Sequence, residues 1–154
     1  MIDLRVESRL AAAPDALWQH ATSMAGVNFE LMPLVRMTHP SDRARLPDAG
    51  ELPDGVLFRS WLLAFGVLPF DRHALCLRRV GPGMRFDEDS TSWLQRRWIH
   101  HRRVEPVAGG ARVIDELRIE PRLRIAAPLV RVLVAQLFDH RHRRLRQRFG
   151  ALTG

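Results

Sequence analysis

Lysine and tyrosine are absent from this 154-residue chain, and cysteine occurs once, at Cys76. A lone cysteine excludes an internal disulfide framework, so a reducing, cytoplasmic setting is the expectation. The missing lysine changes how the net charge of +7 reads. Every basic side chain is an arginine, scattered from Arg5 to Arg148. That pattern is a compositional bias more than a phosphate-binding tract, and no specific nucleic acid is expected as a partner. Long apolar runs are missing too. The longest, Ile125 to Leu137, is broken by Pro128, Arg131 and Gln136 and falls short of the ~18 residues that span a bilayer. The opening residues lack the basic-then-apolar order of a signal peptide. No Walker loop, nucleophile elbow or dinucleotide fingerprint occurs. His100 and His101 are neighbours on a strand and face opposite ways, and His140 and His142 diverge on a helix. Neither pair has zinc spacing, so no metal and no cofactor is expected.

What is present suits one globular domain over residues 1–154, with 46% hydrophobic and 27% charged residues. Ile2 to Leu10 alternates apolar and polar, the mark of a half-buried strand. Pro14 and Asp15 open a helix expected to run to about Met24 and stop near Gly26. A helical turn over 27–31 and a strand over 32–38 follow. Residues 39–54, with three prolines, form a loop of the length often found in lids. Strands are expected over 55–64, 72–80, 84–89, 93–104 and 111–120. The connection from Phe65 to Phe70 is unusually apolar; it lines a pocket mouth, touches a partner or simply packs. Pro128 starts a long helix that ends at Gly150. Consecutive strands without crossover helices imply an antiparallel meander. The expected fold class is therefore α+β. A curved antiparallel sheet of about seven strands grips a long C-terminal helix, preceded by one or two short N-terminal helices. One helix cannot fill a curved sheet everywhere, and an apolar gap is a default ligand site.

The order and several local motifs resemble the START-like (SRPBCC) superfamily of helix-grip proteins. Ala13-Pro14-Asp15-Ala16-Leu17-Trp18 is similar to that family's P-x-x-x-W entry to the first helix. Met84-Arg85-Phe86-Asp87-Glu88 resembles its F-x-D strand, and Trp98-Ile99-His100 its W-x-H-x-H strand, followed by Gly109-Gly110 and Val113-Ile114-Asp115. Phe138-Asp139-His140-Arg141 resembles the F-x-x-R stretch late in the last helix. The likeness spans nearly the whole chain and is greatest to small polyketide cyclase/dehydrase-like members. It implies a pocket for a small hydrophobic molecule such as a lipid, isoprenoid, quinone or aromatic polyketide. The second histidine of the strand motif is Arg102 here, which speaks against chemistry needing two imidazoles.

Hairpin register supplies the candidate site. If Val104 pairs with Ala111, His100 faces Asp115, Trp98 faces Leu117 and Arg102 faces Val113. Val113, Leu117 and Ile119 share the face of Asp115, so that carboxylate is expected inside and needs a partner from His100 or Arg102. The pair is either an acid/base couple or a structural ion pair that sets register. On the last helix, Leu129, Val132, Leu133, Gln136, Leu137 and His140 form the stripe expected to face the sheet. The expected ligand-binding residues are thus Trp98, His100, Arg102, Asp115 and Leu117 on the strands. On the helix they are Leu133, Gln136, Leu137 and His140. The arginine-rich end, His140 to Arg148, either complements the helix dipole or meets an anionic partner, with peripheral membrane contact among the options. Three functions stay open: a binder or carrier of a small hydrophobic ligand; a cyclase/dehydratase-type enzyme using His100 and Asp115; and an interaction module acting through the basic helix end. Monomer and homodimer are equally allowed.

Overall fold

The computed structural model describes residues 1–153. Its strands are β1 (Ile2–Leu10), β2 (Val35–Met37), β3 (Phe58–Ala64), β4 (Leu68–Leu75), β5 (Leu77–Val80), β6 (Arg85–Ser92), β7 (Gln95–Val107) and β8 (Gly110–Pro121). Its helices are α1 (Pro14–Ala21), α2 (Met24–Leu31) and α3 (Ala127–Phe149). The sheet is antiparallel, in the order β1-β8-β7-β6-β4-β3-β2, with β5 also paired to β6. It is the expected helix-grip arrangement of curled sheet, two short helices and one long one.

Several boundaries differ from the sequence expectation. The single strand over 72–80 is two strands broken at Cys76, because the Cys76 amide bonds the Ser90 hydroxyl (2.9 Å) and its carbonyl takes the Asp89 amide (3.0 Å). The expected helix ending near Gly26 is two helices. Ser23 caps the second by accepting from the Gly26 amide at 2.9 Å. The long 39–54 loop is tied to the α1–α2 junction, with Met24 N to Ala44 O and Leu46 N to Thr22 O both 2.8 Å. Gly26 has no room for a side chain, since an added Cβ would stand 1.9 Å from the His20 carbonyl oxygen. Gly26→Ala is expected to cost about 1–3 kcal/mol, read as a lower urea midpoint; an unchanged midpoint would contradict the packing of α1 on α2.

Register and helix orientation bring two corrections. Val104 pairs with Val113 and Pro106 with Ala111, so Arg102 lies opposite Asp115 and His100 opposite Leu117. The hairpin closes as Val107 with Gly110, a shift of two residues that leaves every side chain on its expected face. The second correction concerns α3. It buries Val134, Phe138, Arg141, His142 and Leu145, while Leu129, Val132, Leu133 and Gln136 are exposed. The most apolar stripe is therefore not the one facing the sheet. The buried face carries Arg141 and His142, which both meet carboxylates inside.

Three apolar clusters surround the centre of the domain. One gathers Leu10, Leu17, Val113 and Leu145; a second Met24, Phe58, Leu75 and Phe86; the third Ile2, Leu117, Ile119 and Phe138. Between them the interior is polar.

Candidate functional site

Alternation along the strands aims acids and bases into the same space. On β6, Phe86, Glu88, Ser90 and Ser92 are buried while the residues between them are more exposed. On β7 the buried positions are His100, Arg102 and Val104. Asp115 is buried on β8 and Ser8 on β1. Helix α2 adds Glu30, and α3 adds Arg141 and His142.

These side chains form one connected row. His73 Nε2 donates to Glu88 at 2.6 Å, and the Ser90 hydroxyl donates to the same oxygen at 2.7 Å. The other Glu88 oxygen lies 3.6 Å from His100 Nδ1, an electrostatic contact rather than a hydrogen bond. His100 Nε2 donates to Asp115 at 2.7 Å. Arg102 grips Asp115 with Nε and a terminal nitrogen (2.8 and 2.7 Å) and Glu30 with both terminal nitrogens (2.9 and 2.8 Å). His142 Nε2 donates to Asp115 at 2.7 Å, and its Nδ1 meets the Ser8 hydroxyl at 2.8 Å, which also takes a bond from Arg146. Arg141 and His20 complete the shell of Glu30 at 3.1 and 2.9 Å.

Charge balance explains how such a cluster survives burial. Glu30, Glu88 and Asp115 carry three negative charges, and the guanidiniums of Arg102 and Arg141 match two. A proton on His100 matches the third. Burial opposes that proton, but the carboxylates of Asp115 and Glu88 outweigh it and raise the His100 pKa. Burial also opposes the charge on Glu88, yet His100 and the bond from His73 hold its carboxyl at about 2. Asp115 is held well below the usual carboxylate range by Arg102 and His100, again against burial. Glu30 is lowered in the same way by Arg102 and Arg141.

At the level of β7 and β8 no open space remains, since Glu30 and Asp115 are 0% exposed and Phe138 packs edge-on against His100 (centroids 5.3 Å apart). The row comes slightly to the surface at both ends, with His20 8% and Arg141 7% exposed beside Glu30. His73 and Glu88 each keep 6% exposure, beside the half-buried Trp98, whose ring lies between His73 (6.2 Å) and Phe138 (6.3 Å). Val130 of α3 packs with Trp98 against the Phe138 cluster, and Leu62 on the face of β3 that buries Phe58 and Ser60 is half-covered, as is Leu137 of α3. Trp98 thus borders the His73–Glu88 pair, whereas concave surfaces lie elsewhere, one beside Asp3, Ile99, His101 and Arg118 and another beside Gln19, His20 and Phe149.

Of the residues expected at a site, Trp98, His100, Arg102, Asp115 and Leu117 all face inward, and His100, Arg102 and Asp115 are mutually bonded. Leu137 is half-buried, and His140 is turned aside to bond the Met32 carbonyl at 2.9 Å. Leu133 and Gln136 face solvent. The arginine-rich end is largely committed within the fold: Arg144 bonds the Phe29 carbonyl, and Arg144 and Arg148 lie over the Phe29 ring. Glu30, His73, Glu88 and His142 belong to the row although sequence reasoning passed over them. The signal for Glu88 was the spacing Phe86-x-Glu88-x-Ser90-x-Ser92; for Glu30 it was a lone charge in a largely apolar helix.

Residues 8–149 match the family described as "Domain of unknown function (DUF8410)". The chain belongs to that family. Its fold is START-like. The START superfamily protein from Mycobacterium smegmatis superposes with a TM-score of 0.64 at 12% identity, covering 96% of this chain and 95% of that one. Protein CV1439 from Chromobacterium violaceum gives 0.71 at 13% identity, with 97% and 98% covered. The AHSA1 protein from Silicibacter pomeroyi gives 0.60 at 21% identity, with 94% of each chain covered. No curated protein sequence matches the chain. This DUF8410 domain therefore shares the START-like fold, while its interior row of charges is described from its own residues.

Proposed function

We propose that the chain binds a small, mainly apolar molecule carrying one polar or protonatable group, seated against Trp98. The observation that carries this reading is the half-buried Trp98 ring packed edge-on against His73, beside the His73–Glu88 pair. Glu30, Arg102, Asp115 and His142 are sealed, whereas His73 and Glu88 keep a little exposure next to that indole. An apolar body would lie against Trp98, Leu62, Val130 and Leu137. Its polar group would meet His73 and Glu88, which are held in place by Ser90 and His100. Specificity would follow from those two groups, because leaving a buried polar group without its partner costs more than leaving an apolar wall uncovered.

The test uses nuclear magnetic resonance of the imidazoles with a panel of a fatty acid, a quinone and an aromatic ketone. One class is expected to shift the His73 and His100 signals saturably. Trp98→Ala should weaken that binding by about tenfold or more, as removing a buried aromatic side chain does. No shift with any class, or equal binding by Trp98→Ala, would count against the site. A second reading, proton transfer on the bound molecule, is favoured by the short His73–Glu88 bond and by the His100–Asp115 pair behind it. In that case His73 and Glu88 touch the substrate, and His100 and Asp115 act as positioning residues.

A further inference from the structure

Large exposed apolar side chains are gathered at one end of the molecule. The β3–β4 hairpin projects there beyond the last β4–β6 pair, at His73 and Ser92, and its tip exposes Phe65, Val67, Leu68 and Phe70. The β6–β7 turn follows alongside, exposing Trp93 and Leu94; Trp93 N bonds Arg72 O, and the Trp93 ring packs edge-on against Trp61 at 5.1 Å. The chain leaving β8 is stitched to the same turn by Arg122 N to Leu94 O at 3.0 Å and Arg122 Nε to Ser92 O at 2.9 Å. It then exposes Leu123 and Ile125, the latter by 91%, before α3 begins with exposed Leu129, Val132 and Leu133. Leu34 joins the hairpin tip through its carbonyl, which accepts from Phe65 N, and Met1 precedes β1 at this end. Val56 apart, every large apolar side chain exposed among the described residues lies on these segments or beside them. The opposite end, with the turns at Gly81–Gly83 and Ala108–Gly109 and the arginine-rich end of α3, carries none of them.

The hairpin tip shows that this apolar character is held against a local cost. Val67 N bonds Ala64 O across a turn whose central residues, Phe65 and Gly66, have φ of 54° and 79°. Asparagine suits the first of those positions, whereas phenylalanine is strained there. Phe65 is nevertheless 68% exposed, so packing within the fold does not account for it. The exposed charge of the hairpin tip, the β6–β7 turn and the start of α3 is basic as well, Asp71 of the hairpin being buried. No Asp or Glu occurs in 55–70, 90–100 or 121–138, while Arg122, Arg124 and Arg131 are exposed and Arg72 lies over the Trp61 ring at 4.5 Å. Aliphatic and indole side chains set among arginines match a bilayer interface with anionic headgroups, where rings sit at headgroup level and guanidiniums meet phosphates.

We propose that this end of the molecule docks on the surface of an anionic lipid bilayer. The test is cosedimentation at physiological salt with vesicles of phosphatidylcholine alone and of phosphatidylcholine mixed with phosphatidylglycerol. The chain is expected to sediment with the mixed vesicles and far less with the neutral ones. Phe65→Asn is the decisive variant: vesicle affinity should fall roughly tenfold, while the thermal midpoint stays or rises because the turn is relieved. Arg124→Gln and Arg131→Gln should each lower affinity roughly fivefold. A wild type that stays in the supernatant, or Phe65→Asn binding unchanged, overturns the proposal. So does a vesicle-free dimer that Phe65→Asn abolishes, which would assign this end to a second copy of the chain.

Discussion

Arg102→Met is expected to destabilise the domain by about 3–5 kcal/mol, a large part of the roughly 5–15 kcal/mol that holds a domain folded. Arg102 makes four of the bonds in the buried row, two to Glu30 and two to Asp115. Methionine fills much of the volume but leaves two carboxylates facing each other with one cation fewer. Arg141 and His20 still serve Glu30, and His100 and His142 still serve Asp115, so the domain is weakened through charge rather than through a packing defect. The triple variant Arg102→Met, Glu30→Gln, Asp115→Asn is therefore expected to recover part of the loss. Arg118→Met, which breaks the exposed pair with Asp3, should cost under about 1 kcal/mol. Urea unfolding measures all three. A loss at Arg102 no larger than at Arg118 would contradict the charge balance described for the interior.

Stability should form a plateau between about pH 5 and 6.5 and fall on both sides. Glu88 has its carboxyl lowered from 4.5 to about 2, and Glu30 and Asp115 are lowered as well. Groups lowered by folding stabilise above their unfolded values, and that contribution is lost as pH falls through their folded ones. For Glu88 alone the loss approaches about 3 kcal/mol. His100 is raised from 6.5, so its contribution is complete below that value and disappears as pH rises through its folded pKa. The groups facing His100 are Glu88 from β6, Asp115 from β8 and Phe138 from α3, with Phe86 on its other side. His100→Gln should accordingly flatten the alkaline limb and leave the acid limb in place. Glu88→Gln should reduce the acid limb. Urea midpoints taken from pH 3 to 9 read both; an alkaline limb that persists in His100→Gln would remove His100 as its source.

The fold was legible in the sequence because its signals are local and repeated. Alternation in Ile2 to Leu10, a turn at Gly81-Pro82-Gly83 and Pro128 before a long helix each reflect backbone geometry that tertiary packing did not overturn, whereas the second hairpin turn falls at Ala108-Gly109 rather than Gly109-Gly110. The site was legible in part. Alternation places His100, Arg102 and Asp115 on one face whichever even shift the hairpin adopts, and the two-residue change in register left them together. The orientation of α3 was not legible. Hydrophobicity alone turns Leu129, Val132 and Leu133 toward the sheet, but that choice ignores what Arg141 and His142 gain from Glu30 and Asp115. Those acids come from α2 and β8, far away in the chain, and no local pattern announces the pairing. The same reason hid Glu30 and His73, whose partners lie on other elements. The exposed apolar stripe and the buried charged row are thus two sides of one helix rotation.

Native mass spectrometry of the protein purified from its producing cells, with organic extraction of bound material, tests the binding reading most directly. One apolar molecule per chain, bearing a single polar or protonatable group and absent from Trp98→Ala, is the predicted result. A bare polypeptide mass, with no class of added molecule retained by the wild type, would contradict it.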